Sequence, residues 1–357
     1  MNDSSWGASP SAGYRDPGDP GRSPSAGPVY QAADAAQTRP MPLPSEGVPS
    51  DGVPSEGAGR DDGQPPRDDR SHRSDSRPPE NPPAGRKRAG RDLPAAIGVG
   101  LGLGAVIVAS LFLVKEVFVA VVAAAVVVGL WELTSRLSER KGVNVPLVPL
   151  AVGGAAMVVA GYVRGAEGAW VLLALTALAV LLWRMAEPPE NYLRDVTAGL
   201  FTLFYVPFLA TFVALLLAAD DGPWRVLTFL VLTIVSDTGA YAVGWRFGRH
   251  KLAPRISPGK TREGLLGAVA CTMVAGALCM QFLIDGGQWW QGLLLGLAVA
   301  ASATLGDLGE SMIKRDLDIK DMGTLLPGHG GIMDRLDSLL PTAPVVWLLL
   351  VLFVGAG

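Results

Sequence analysis

The sequence predicts an all-α, polytopic integral membrane protein with about nine transmembrane helices and a disordered N-terminal tail. Three observations carry this. Hydrophobic residues make up 49% of the 357-residue chain, and from Leu93 onward they gather in runs of roughly 17 to 22 residues, the length that crosses about 30 Å of hydrocarbon. The stretch before the first run is rich in Pro, Gly, Ser, Asp and Arg, as in "SEGVPSDGVPSEGAGRDDGQPPRDDR". The basic residues between runs crowd into alternate loops.

Residues 1–92 have too little apolar content to offset the entropy of ordering a backbone, and read as a disordered cytoplasmic tail. Residues 93–357 read as one transmembrane domain. The first apolar run lies far into the chain and lacks a small-residue cleavage pattern, so it is a span and not a signal peptide. Nine spans are expected, at about 94–114, 117–135, 146–163, 169–186, 197–218, 224–245, 264–284, 289–308 and 339–356. One set of alternate loops, with Arg86, Lys87, Arg88 and Arg91 just before the first span, carries nineteen Lys and Arg. The other set carries only Lys115, Arg164 and Arg225. Basic residues near span ends stay on the cytoplasmic side. The N-terminus and the long loops after the sixth and eighth spans are therefore expected there, at a cell (inner) membrane, with the C-terminus outside.

A formal net charge of -3 hides this local pattern. Cys271 and Cys279 lie eight apart in one apolar run, which supports neither a disulfide framework nor a zinc spacing and leaves them as packing residues. Among the histidines, His72 falls in the tail and His250 in a solvated basic loop. No Ser-His-Asp constellation is visible, and no aromatic-interleaved basic surface points to nucleic acid.

Three polar groups interrupt the apolar pattern. In "ATLGDLGESMIKRDLD", Asp307, Ser311, Lys314 and Asp318 recur at helical steps on one face, beside Arg315. Snorkelling is the alternative for Lys314 and Arg315. It fits Asp307 poorly, because an acid at the edge of hydrocarbon needs a partner or a metal. In "HGGIMDRLDS", His329, Asp334, Arg335 and Asp337 follow two glycines. The two acids cap a helix start or hold a cation. Together, Asp307 and Asp334 suit a hard metal, since Mg²⁺ takes a few carboxylates plus substrate phosphates. In "VSDTGAYAVGWRFGRHKLAPRISPGKTREG", Asp237 lies inside the sixth span and should face a polar cavity, with Ser236, Thr238 and Tyr241 as companions. "SPGKT", Ser257 to Thr261, is not a P-loop: position 254 is Pro254 and no apolar strand precedes it. Lys260 remains as a phosphate contact or an ordinary basic loop residue. A cytoplasm-facing, oxygen-rich site ringed by Lys and Arg suits phosphoryl-type transfer between a nucleotide and an anionic lipid.

The stretch "SMIKRDLDIKDMGTLLPGHGGIMDRLD", Ser311 to Asp337, resembles the signature of the phosphatidate cytidylyltransferases, or CDP-diacylglycerol synthases, and the segment from Ser236 to Gly264 is similar to their second characteristic segment. The resemblance covers roughly residues 95–357. It implies transfer of CMP from CTP to phosphatidic acid, Mg²⁺ as the required ion, and a monovalent cation such as K⁺ as an assisting one. It also leaves a homodimer open. In this chain it implies Asp307 and Asp334 as metal ligands. Ser236, Asp237, Tyr241, Ser257, Lys260, Thr261 and Ser311 become substrate contacts, and Lys314, Arg315, Asp321, His329, Arg335 and Asp337 the catalytic wall. Two other classes compete. A transporter also uses intramembrane acids, but needs no basic Gly-rich loop, and repeated halves are not visible. A CTP-using lipid kinase is the nearer rival, against which the long Ser311–Asp337 segment argues.

Overall fold

The computed structural model describes residues 93–323, 325 and 330–356; the expected tail lies outside them. In chain order the helices are α1 (Leu93–Leu113), α2 (Lys115–Lys141), α3 (Leu147–Met185) and α4 (Tyr192–Leu203). A π-helical turn, Phe204–Phe208, runs into α5 (Leu209–Leu217), followed by α6 (Gly222–Phe247). A hairpin of β1 (Lys251–Ala253) and β2 (Ser257–Thr261) leads to α7 (Arg262–Phe282), α8 (Trp289–Asp316), the short α9 (Met333–Leu336) and α10 (Leu339–Val354).

Seven helical stretches among the described residues are long and apolar enough to cross a membrane: α2, α3, Tyr192–Leu217, α6, α7, α8 and Met333–Val354. A shorter apolar helix covers Gly104–Leu113. This differs from the nine separate spans expected, chiefly because 146–163 and 169–186 fall within the single element α3. Gly165, at φ 66° and ψ −155°, breaks the helical path of α3, a conformation that L side chains rarely adopt. The chain reverses there. A methyl group added at Gly153 would overlap the side chain of Thr176, whereas 23 residues of straight helix would separate the two by about 34 Å. The expectation of an all-α chain is also amended by the hairpin, which pairs Lys251 with Thr261 and Ala253 with Ser257 in antiparallel register.

Local chemistry explains the helix ends. Gly142 closes α2 in the left-handed region (φ 61°), its amide reaching Leu137 O and Ser138 O. Pro223 stands in the first turn of α6, where a missing amide costs nothing. Thr261 caps α7 by accepting the Gly264 amide at 3.1 Å. Gln288 and Gln291 form a capping box at α8. Pro207, with no amide to give, lies in the π-helical turn.

The bundle has two distinguishable ends. At one, Lys141 pairs with Asp316 at 3.2 Å, Arg194 donates to Gly142 O at 2.5 Å, and Arg315 donates to Ile256 O at 3.3 Å. The loops after α2, α3, α6 and α8 therefore share that end. At the other, Phe112 meets Trp224 edge-on at 5.0 Å, and Arg225 donates to Gly355 O at 2.9 Å. Buried Arg184 ties the loop after α3 to α4, reaching Asp195 at 3.0 Å and the carbonyls of Pro188 and Glu190 at 2.8 and 2.7 Å.

Helices α6, α7 and α8 pack backbone to backbone where small residues meet. A methyl group at Gly276 or Gly292 would overlap the other's carbonyl, and one at Gly239 would lie 3.1 Å from Cys271 Cβ. Both cysteines are free, Cys279 buried and Cys271 exposed. Gly292→Val should force α7 and α8 apart at about 1–3 kcal/mol or more. Thermal unfolding in detergent should show a lowered midpoint, and an unchanged one would mean the contact is loose.

Candidate active site

The end that carries the long loops holds a cavity of ≈ 590 Å³. Its walls come from the last turns of α6, the hairpin, the first turn of α7, the lower half of α8 and the α9–α10 junction. Of the sequence-predicted residues, Ser236, Asp237, Tyr241, Ser257, Lys260, Thr261, Asp307, Asp334, Arg335 and Asp337 all line it. Segments about 100 residues apart in sequence thus form one site because α6 and α8 end at the same level.

Specific bonds hold these groups. Lys260, from β2, forms an ion pair with Asp307 of α8, so the hairpin is anchored over the cavity. Arg315 braces the same hairpin through Ile256 O. His250, read as solvated, is exposed but engaged: its Nδ1 lies 2.6 Å from Glu263 Oε1, and the amides of Arg249 and His250 also reach that carboxylate. Asp237 accepts from Ser338 Oγ at 3.1 Å. Ser338 is in turn tied by its carbonyl to Thr342 Oγ1 at 2.6 Å, and its amide donates to Asp337 Oδ1 at 2.8 Å.

Lys314 bridges two acids, forming an ion pair with Glu310 and lying 2.7 Å from Asp334. It faces inward, and snorkelling does not describe it. Asp334 also accepts the amides of Met322 (3.0 Å) and Gly331 (2.8 Å), so it organises the loop before it rather than capping its own short helix.

Other expected residues lie elsewhere. Ser311 is half-buried and Asp321 exposed, and neither these nor Lys314 and Arg315 line the cavity. His329 lies outside the described residues. The expectation that Asp318 shares a helical face with Asp307 is corrected: α8 ends at Asp316, and Asp318 sits beyond it in the left-handed region at φ 52°, where short polar side chains are tolerated.

Three contributors were missed. Glu310 (1% exposed), Glu132 of α2 (3%) and Ser338 (3%) are buried beside the site. Both acids carried the signal that picked out Asp237, a carboxylate within an apolar run. Ser338 carried none, since a serine near a helix start is commonplace.

The cavity gathers Asp237, Asp307, Asp334 and Asp337 against Lys260 and Arg335, and outside it Arg246, Arg249, Lys251, Arg255 and Arg262 stand exposed. Such a rim draws anions from water toward an interior that favours cations. Among the described residues no group of three or more His, Cys, Asp or Glu side chains is placed to hold a metal ion. Oxygen donors in ones and twos are nonetheless the set that suits Mg²⁺ completed by phosphates and water.

A helical membrane protein with an acid-lined, cation-rimmed cavity at one end of the bundle belongs among enzymes that work on polar groups at a bilayer surface. The chain matches the cytidylyltransferase family over residues 94–353, and it belongs to that family. It is 43% identical over 281 residues to a phosphatidate cytidylyltransferase of Mycobacterium leprae, covering 74% of this chain and 89% of the relative. It is 42% identical over 296 residues to one of Mycobacterium bovis (77% and 96%). The match to one of Staphylococcus saprophyticus is 34% over 189 residues (52% and 72%).

Lys314→Met should leave Glu310 as an uncompensated buried carboxylate and Asp334 with only its two amide donors, a loss of about 3–5 kcal/mol. The thermal midpoint should fall, and adding Glu310→Gln should recover part of it. A variant as stable as the parent would mean the bridge carries no net stability.

Proposed function

We propose that this protein transfers CMP from CTP to phosphatidic acid, giving CDP-diacylglycerol and diphosphate. The observation that carries this reading is the single cavity joining Lys260, Asp307, Asp334, Arg335 and Asp337, within a chain of the cytidylyltransferase family whose relatives bear the name phosphatidate cytidylyltransferase.

The chemistry follows from the groups present. A phosphate oxygen of the lipid attacks the α-phosphorus of CTP in line. The new P–O bond forms as the α–β anhydride bond breaks, and the electron pair leaves on diphosphate. The lipid phosphate is anionic at neutral pH, so no side chain has to remove a proton. Lys260 and Arg335, both on the cavity wall, bind and orient phosphate oxygens, and Lys260 exchanges its carboxylate partner for a phosphate as substrate enters, while Lys314 holds Asp334 in place from behind. Asp307 and Asp334 would hold Mg²⁺, which supplies charge neutralisation on the nucleotide phosphates, with a monovalent cation such as K⁺ assisting. A lipid acceptor reaches the cavity sideways from the bilayer while CTP comes from water, which requires a site at the boundary.

The same reading places the protein in the cell's inner membrane with nine crossings, counting α1 and the two arms of α3 separately, and puts the N-terminus and cavity on the cytoplasmic side. The crowding of basic residues into one set of loops supports it. With Cys271 and Cys279 replaced, a cysteine at Asp318 should then escape a membrane-impermeant thiol reagent in intact cells, and one at Gly355 should react. The reverse pattern would invert the topology.

Purified protein in detergent, given labelled CTP, Mg²⁺ and phosphatidic acid, should release diphosphate and make a CMP-bearing lipid. Transfer of the γ-phosphate alone to an alcohol would indicate a kinase, and solute flux without turnover a transporter. Asp307→Asn and Asp334→Asn should each lower kcat by about 100-fold or more in folded protein. Near-normal rates in either would refute its role as a metal ligand.

A further inference from the structure

Glu132, in the second half of α2, has no part in the chemistry above, yet it is buried where a carboxylate is costly. Its Oε2 accepts the amide of Met333 at 2.8 Å, a contact between residues 201 positions apart. Met333 opens α9, one residue before Asp334. Oε1 is buried and makes no hydrogen bond among the described residues.

Two glycines that precede α9 close around this carboxylate. A Cβ at Gly331 would stand 2.5 Å from Oε2 and 2.7 Å from Oε1, and one at Gly323 would overlap Oε1. Neither glycine has a positive φ, so what excludes side chains there is the carboxylate together with the close approach of the two glycines to each other, a Cβ at Gly331 lying 2.7 Å from Gly323 N and one at Gly323 lying 3.0 Å from Gly331 Cα. The neighbours of these glycines are held from the other partner: Asp334 takes the amides of Met322 and Gly331, while Arg136, one turn after Glu132, donates to Met322 O at 2.8 Å. Two acids, one on α2 and one on α9, therefore grip the same two loop segments.

We propose that Glu132 is a positioning residue for CMP transfer. By holding the Met333 amide and setting how closely Gly323 and Gly331 approach, it fixes where Asp334, Arg335 and Asp337 enter the cavity. The inference rests on the activity assigned above.

The test measures kcat and KM together with the thermal midpoint for Glu132→Ala, Glu132→Gln, Gly323→Ala and the double variant Glu132→Ala/Gly323→Ala. Misplacing the site by about 1 Å should cost Glu132→Ala roughly 100-fold in kcat while the protein stays folded. Glu132→Gln, which keeps an oxygen acceptor for Met333, should recover most of it. Gly323→Ala should also lose activity, and the double variant should be no worse than Glu132→Ala alone, because residues that share one contact are not additive. Wild-type kcat in Glu132→Ala, a double variant whose losses multiply, or a loss accounted for entirely by unfolded protein would each overturn the proposal. Should the parent fail to transfer CMP, the functional reading falls instead, and the Glu132–Gly323 coupling is read from the thermal midpoints.

Discussion

The bridge that Lys314 makes between Glu310 and Asp334 is the interaction on which the site depends. Buried carboxylates persist in an apolar bundle only when a cation or amides compensate them. Lys314 does so for an acid of its own helix and for one on α9, and in that way ties the end of α8 to the start of the last crossing. Asp334, held by the lysine, has oxygens left for the amides of Met322 and Gly331, and so these two residues between α8 and α9 are gathered at a charge pair. Lys260 and Asp307 repeat the device on the other wall, where the pair draws the hairpin over the cavity.

Close helix packing lets these pairs form. Glycines on α7 and α8 bring the two backbones together, and α6 joins them where Gly239 meets Cys271. That brings Asp237 and Asp307 to the same level on neighbouring helices. In a membrane, where apolar side chains gain little by leaving lipid for protein, contact of this kind and polar bonds are what hold helices to one another. The Ser338–Asp237 hydrogen bond and the Thr342 contact behind it extend the same logic to α10. The polar cavity and the apolar bundle are one construction, since Asp237 and Asp334 in the wall are also links between helices and Asp307 links α8 to the hairpin.

Function follows from where the construction stops. The acids and lysines sit at the level where the helices end, the exposed arginines and Lys251 stand beyond them, and the apolar flanks meet lipid. A phosphate-bearing nucleotide and a phosphate-bearing lipid meet in such a place without either leaving its own phase. The hairpin is held at its open end by Glu263 on the backbone of Arg249 and His250 and by Lys260 on Asp307, and at its turn by Arg315 on Ile256 O, so charged side chains fix its position over the cavity alongside the strands' own two pairings.

Much of this could be read from residue order. Run length gave the membrane class, the crowding of Lys and Arg placed the long loops together, and the cost of an acid in an apolar run singled out Asp237 and Asp307. The same rule applied to Glu132 and Glu310 would have found both. Asp318 misled because spacing alone cannot show that a helix has already ended. The separate spans expected for α3 lie within one element because the reversal at Gly165 is so tight that helix continues on both sides of it, although Arg164 and Glu167 mark the turn in the sequence.

The sequence by itself determined which segments avoid water and which residues carry charge, because both depend on side-chain chemistry and short-range spacing. Only the tertiary structure decided the pairings: Lys314 with two acids, Lys260 with Asp307, Glu132 with Met333 across 201 residues. Those depend on which helix ends arrive at the same height, and that is set by backbone contacts between glycines, which have no signature in charge or hydropathy.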